Sequence, residues 1–290
     1  MTNEKQSRQI YAIMTSLILV AGTLTLSIPY QEAYAAIEVD DCDDDQNISA
    51  GDRVIMVGDI TDVSEICILL EFEGITFDCK GHTIDGTDDL GSEGINIAAS
   101  GVTVKNCNFT NLGIGIELLP PAEESTITKN TLTSNFNGIL LNKADNNKIT
   151  ANSSTGNMNN GLFLVESNSN QIQRNDFSDN MNFGILLTRS DDNVVNANNV
   201  DDNTMANMHL NGSDNNTIKR NTFNDGSDNG LDVSLSSMGN NIISNTANDN
   251  AATGFADFSS DSGTAGTANT YLRNSCSDNS NDSNPNGLCS

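Results

Sequence analysis

Apolar residues two positions apart recur through the last two thirds of the chain: Ile139/Leu141, Leu162/Leu164, Ile185/Leu187, Met208/Leu210 and Leu231/Val233. A period of two is the signature of a strand with one buried face. The pairs themselves return about every 23 residues. Between them lie Asn, Gly, Asp and Ser, which tolerate tight turns and left-handed backbone. A fixed period of this size predicts a solenoid, in which each unit buries its apolar face only by stacking on the next.

The polar positions repeat as strictly as the apolar ones. Asn-x-apolar-x-x-Asn occurs at Asn147–Asn152, Asn170–Asn175, Asn193–Asn198, Asn216–Asn221, Asn240–Asn245 and Asn269–Asn274, with Ser125–Asn130 as a variant. Five residues on, Asn135, Asn157, Asn180, Asn203, Asn250 and Asn279 form a further column, broken once by Gly226. A Gly then opens each apolar run, except that Asn207 takes one turn. No helical periodicity follows residue 40, and the Leu-x-x-Leu-x-Leu frame of leucine-rich repeats is absent, as are RTX nonapeptides. The expected fold is therefore all-β, a parallel β-helix with one coil per repeat. Coils in register lie about 4.8 Å apart, so like side chains stack, and a stacked Asn amide donates to one neighbour and accepts from the other. The Asn columns are read as structural.

The stretch Gly74-Ile-Thr-Phe-Asp-Cys-Lys-Gly-His-Thr-Ile-Asp-Gly86, then Gly101-Val-Thr-Val-Lys-Asn-Cys-Asn-Phe109 and the Asn-rich coils resemble secreted right-handed parallel β-helix proteins with NosD-like repeats, frequent among archaeal surface proteins. The resemblance spans about residues 60 to 280. It implies a right-handed β-helix solenoid and shares its architecture with pectate lyases, polygalacturonases and mannuronan epimerases. It implies no particular reaction, because fold does not carry function.

The ends set the expected organisation. Lys5 and Arg8 precede an apolar segment, Ile10 to Ile28, and an Ala33-Tyr34-Ala35 site, the pattern of a signal peptide; an uncleaved N-terminal anchor is the alternative. The expected division is 1–35 signal peptide, 36–73 N-terminal cap and first strands, 74–274 parallel β-helix, and 275–290 C-terminal cap. The six cysteines, Cys42, Cys67, Cys79, Cys107, Cys276 and Cys289, all follow the leader. An even set in an exported chain points to disulfides; sequence leaves their connectivity open, and proximity favours Cys42–Cys67, Cys79–Cys107 and Cys276–Cys289. The net charge of −26 argues against nucleic acid, anionic lipid and polyuronates as partners.

Stacking turns candidate chemistry into columns. Asp179, Asp202, Asp225, Asp249 and Asp278 stand in consecutive coils. They read either as turn residues capping backbone N–H groups or as a Ca²⁺-binding stripe, since hard cations take carboxylate oxygens. Lys129, Arg174, Arg220 and Arg273 alternate with small residues and read as a solvated column. On the outward side of the post-Gly strand runs Asn96, Glu117, Leu140, Phe163, Leu186, His209, Asp232; the apolar steps Leu140, Phe163 and Leu186 are the candidate ligand platform. His82 reads as a structural hydrogen-bonder, and the acidic pairs Asp191-Asp192 and Asp201-Asp202 as turn residues rather than catalysts. The leading functional expectation is an exported, secreted or cell-surface, non-enzymatic scaffold binding glycans, metal ions (Ca²⁺) or cell-envelope partners. The alternatives are a polysaccharide-active hydrolase, lyase or epimerase, or a copper-related periplasmic role by analogy with NosD.

Overall fold

The apolar pairs fall on short strands, and the strands stack. The computed structural model of the protein describes residues 36–290, so the expected leader at 1–35 lies outside the described residues. About nine coils of about 23 residues each wind through three parallel sheets. Face A has eleven strands, from Ile37–Val39 to Thr270–Leu272. Face B has five, from Ile60–Val63 to Ser153–Thr155, continued by single bridges through Asp176, Asn199 and Thr222 to Thr246. Face C has ten, from Ile66–Leu70 to Asn281–Asn284. Helix among the described residues is confined to two 3₁₀ turns, Cys42–Asn47 and Thr264–Gly266.

The core is a set of aligned columns. Face A contributes Ile127, Ile149, Ile172, Val195, Ile218 and Ile242; face C contributes Leu141, Leu164, Leu187, Leu210 and Val233; face B adds Phe109, Leu132, Phe177, Val200 and Phe223. All are buried. A three-residue strand offers only one inward side chain, so each coil is stable only between its neighbours.

What turns the chain between faces is a residue with left-handed backbone followed by Asn. Arg174, Ala197 and Arg220 have φ of 55°, 56° and 55°, and each precedes a ladder Asn. The same holds at the other two corners, at Asp179, Asp202 and Asp249, and at Ser169, Asp192 and Asn215. An ordinary L residue loses roughly 1–2 kcal/mol in this conformation. The following Asn offsets that cost. The backbone N–H and Nδ2 of Asn152 both donate to Asn175 Oδ1, at 2.9 and 3.0 Å, while Asn152 Nδ2 also donates to the carbonyl of Ile127 at 2.9 Å. Asn175 repeats this toward Asn198, and Asn198 toward Asn221. The side-chain amide thus continues the sheet's hydrogen bonding around a bend where backbone alone has no partner.

The two irregularities in the repeat form one compensating pair. Gly226 leaves a gap in the Asn135–Asn279 column, and Asn207 stands where the other coils have Gly. The Asn207 amide fills that gap: its Oδ1 accepts from Asn203 N–H and Nδ2, and its Nδ2 donates to Asn250 Oδ1 at 3.1 Å. A Cβ at Gly226 would lie 2.8 Å from Asn207 Nδ2.

Both ends are tied by disulfides. Cys42–Cys67, Cys79–Cys107 and Cys276–Cys289 are bonded, as proximity favoured, with Cα separations of 4.5, 4.7 and 5.8 Å. Within 36–73, where the first strands are expected, Ile37 pairs with Val54 and Arg53 with Thr76, and beyond residue 274 Asn281 pairs with Thr253, so the ladder runs into both flanking segments.

Two predictions follow the ladder geometry. Asn175→Leu strands two buried groups, the Asn152 N–H and the Ile149 carbonyl, and takes from Asn198 Oδ1 one of its two donors, so it is expected to lose about 3 kcal/mol in equilibrium denaturation; unchanged stability would show the amides to be dispensable. Asn207→Gly and Gly226→Asn should each destabilise singly, and the double variant should recover, with a coupling of about 1–3 kcal/mol in a double-mutant cycle. Additive losses would break the compensation.

Candidate functional site

With the amides committed to the corners, ligand-facing chemistry is left to the outer surfaces. The outward column of face C is in register along the sheet: Asn96 opposes Glu117, then Leu140, Phe163, Leu186, His209 and Asp232 follow in successive strands. The sequence order of the expected column is therefore its spatial order. Leu140, Phe163 and Leu186 are each half-buried and form three adjacent apolar steps. Beside them at the B–C corner, Phe136, Met158, Met181 and Met205 are exposed.

Polar groups bracket these steps. Downstream, the His209 ring stacks on Phe183 with centroids 5.3 Å apart. His209 Nδ1 lies 3.2 Å from Asp232 Oδ2, but the approach angle is not that of a hydrogen bond, and His209 Nδ1 and Asp232 Oδ1 remain buried without partners. Upstream, Asn96 is 1% exposed and Glu117 8%. Asn96 Nδ2 donates to Glu93 Oε2, and Asn96 Oδ1 is buried with no partner. Burial raises the Glu117 carboxyl to about 7; the charge and hydrogen bonding of Glu93 push the same way, and Asn142 opposes them. Among the described residues, five buried side-chain atoms lack a partner, and three of them belong to this one column. Buried polar atoms are ordinarily satisfied, so their concentration sets this column apart from the rest of the surface.

The five-aspartate column lies elsewhere. Asp179, Asp202, Asp225, Asp249 and Asp278 are exposed, have φ between 56° and 61°, and none accepts a hydrogen bond among the described residues. They hold the turn by backbone conformation and not by capping. Partial burial, then the charges of Asp225 and Asp179, push the Asp202 carboxyl above its usual range. Among the described residues, no three His, Cys, Asp or Glu side chains gather as a metal site. The basic column is likewise a turn column, with Lys129, Arg174, Arg220 and Arg273 at φ of 55–57°.

Two further ladders had a visible 23-residue spacing that went unread. Ser167, Ser190, Ser213 and Ser237 accept, through Oγ, the backbone N–H of the preceding coil. One position on, Asp145, Asn168, Asp191 and Asp214 accept the N–H of the following coil, the opposite direction. Asp191 is thereby structural. So is Asp201, whose Oδ1 accepts from Asn224 N–H at 2.7 Å. His82 contacts Asp59 Oδ1 at 3.1 Å, in the structural role expected of it.

A family model described as the right handed beta helix region matches residues 59–194 and 121–281. No curated protein matches the sequence. Among solved structures, the chain resembles the A-module of the Azotobacter vinelandii mannuronan C-5 epimerase AlgE6, at 13% identity over 81% of this chain and 84% of that one, with a TM-score of 0.65. It also resembles the periplasmic alginate epimerase AlgG, at 15% identity over 80% and 73% with a TM-score of 0.58, and the Dettilon tailspike protein gp208, at 17% over 78% and 59% with a TM-score of 0.55. At these identities the likeness shows the fold alone.

The raised Glu117 carboxyl sets a sign for pH dependence. Its folded-state value, about 7, exceeds the ordinary 4.5, so between these values the native chain binds more protons than the unfolded one. Stability should rise as pH falls from 8 to 5, by roughly 1–3 kcal/mol more in wild type than in Glu117→Gln. Parallel pH–stability curves for the two chains would refute the shared carboxyl environment.

Proposed function

The chain belongs to the right-handed β-helix family, and from that premise we propose that it is an exported, non-enzymatic scaffold that binds a glycan along the outer column of face C. The observation that carries this reading is the arrangement of that column: three apolar steps, Leu140, Phe163 and Leu186, between two ends whose buried polar atoms lack partners. A sugar presents the same alternation, an apolar C–H face and hydroxyl groups able to donate and accept. Seven rungs spaced about 4.8 Å apart make a track of roughly 29 Å, enough for several sugar units. Three disulfides support an oxidising location, the cell surface or the medium.

A second reading rests on His209. Its ring stacks on Phe183 at one end of the track, 3.2 Å from Asp232, where an imidazole would serve as a base in a polysaccharide-active enzyme.

A glycan array followed by calorimetry on the bound oligosaccharides tests both. The scaffold reading expects binding that Phe163→Ala weakens at least tenfold, with no new reducing ends, unsaturated sugars or epimerised product. Failure of every neutral and acidic glycan to bind would end it. Turnover abolished by His209→Gln would replace it with the enzyme.

A further inference from the structure

The upstream end of the face C column holds an arrangement that glycan binding does not require. Glu93 and Glu117 sit on adjacent strands, close enough for their carboxyls to share a hydrogen bond. Two carboxyls at such range, with one of them 8% exposed, are stabilised either by a shared proton or by a positive charge between them. None is supplied by the protein: among the described residues neither glutamate forms an ion pair with Lys or Arg, and the nearby base Lys143 pairs with Glu166 at 3.5 Å. Asn96 adjoins both. It is the register partner of Glu117, and it is held to Glu93 through Nδ2. Its Oδ1, on a side chain 1% exposed, has no donor. A protein that needed only to neutralise the pair would have no use for an additional bare oxygen beside it. An oxygen acceptor without a hydrogen-bond donor, adjoining two carboxylates without a base, is what a hard cation uses.

We propose that Glu93, Glu117 and Asn96 Oδ1 form a binding site for a hard divalent cation, Ca²⁺, on the outside of face C. Carboxylate and amide carbonyl oxygens are Ca²⁺ ligands, and water completes the 6–8 positions. Thioether and thiolate metals are excluded by the all-oxygen set. The site differs from the aspartate column, whose carboxylates are exposed and repel one another across successive coils. It does not require the glycan reading, although both use Asn96 Oδ1.

Calorimetric titration of the disulfide-intact chain with CaCl₂, at constant ionic strength set by NaCl, tests the site. One saturable binding event is expected in wild type, in the 10⁻⁴–10⁻³ M range of extracellular modules. Glu93→Gln and Asn96→Leu should each weaken it at least tenfold, while the Asp202→Asn/Asp225→Asn double variant should leave it unchanged. The glutamine variant keeps the side chain's shape and removes repulsion, so it folds if the wild type does, and a thermal melt of each variant confirms this. A wild-type titration without saturable heat overturns the site. So does a Glu93→Gln curve that superposes on wild type, or a binding event lost in the aspartate double variant instead.

Discussion

Every coil of this protein must take its backbone around three corners, and at each corner sheet hydrogen bonding fails unless something replaces it. The left-handed residue that makes the bend rotates the next N–H out of line with the strand above. The Asn that follows supplies both missing partners, an acceptor for the N–H one coil away and a donor for the carbonyl on the other side. Because the amide has both functions at a fixed distance, the solution works only when neighbouring coils place the same residue at the same height. Strict register at the corners follows from that requirement, and so does a period close to 23 residues in most coils; the coil between Asn240 and Asn269 is 29 residues long and still places its Asn in the ladder. The coil that departs from it, at Gly226, borrows an amide from Asn207 so that the column is not interrupted.

Confining specificity to the corners and the core leaves the outer faces free to vary. Face C shows it most clearly. Its inward positions are aliphatic or Met from Ile95 to Val233, while its outward column passes from Asn96 and Glu117 through three apolar steps to His209 and Asp232. Orphaned polar atoms collect in this column, whereas the far more numerous ladder amides are saturated. The same β-helix fold appears in alginate epimerases and a tailspike protein. A stack of self-supporting coils can carry different outward columns without altering what holds it together.

Much of this was legible in the sequence because register converts spacing into contact. Asn147, Asn170 and Asn193 are equally spaced along the chain and hydrogen-bond in space. The Leu140–Phe163–Leu186 strip follows the same rule. The Ser167–Ser190–Ser213 ladder had equal spacing but was passed over, since serine in a polar turn carries no mark of burial. Contacts that cross columns were not legible. Glu93 and Glu117 meet because the chain doubles its inward positions at Gly94 and Ile95, which brings Glu93 to the outside beside Asn96. Asn207 reaching Asn250 joins residues from two columns and skips a coil. Toward the ends of the stack, strands such as Arg53–Met56 and Asn281–Asn284 pair in register without the Asn signature, so the ladder spacing carries no mark of them.

Native-state hydrogen exchange of the corner amides tests the ladder most directly. The N–H groups of Asn152, Asn175, Asn198 and Asn221 are bonded to side-chain oxygens at 2.9 Å, not to backbone. If these amides carry sheet bonding around the bend, they exchange as slowly as the central strand amides of Ile149, Ile172 and Val195, through global unfolding alone. Exchange at the rate of fraying turns, with the strands still protected, would show that the corners open independently and that the ladder does not hold the coils.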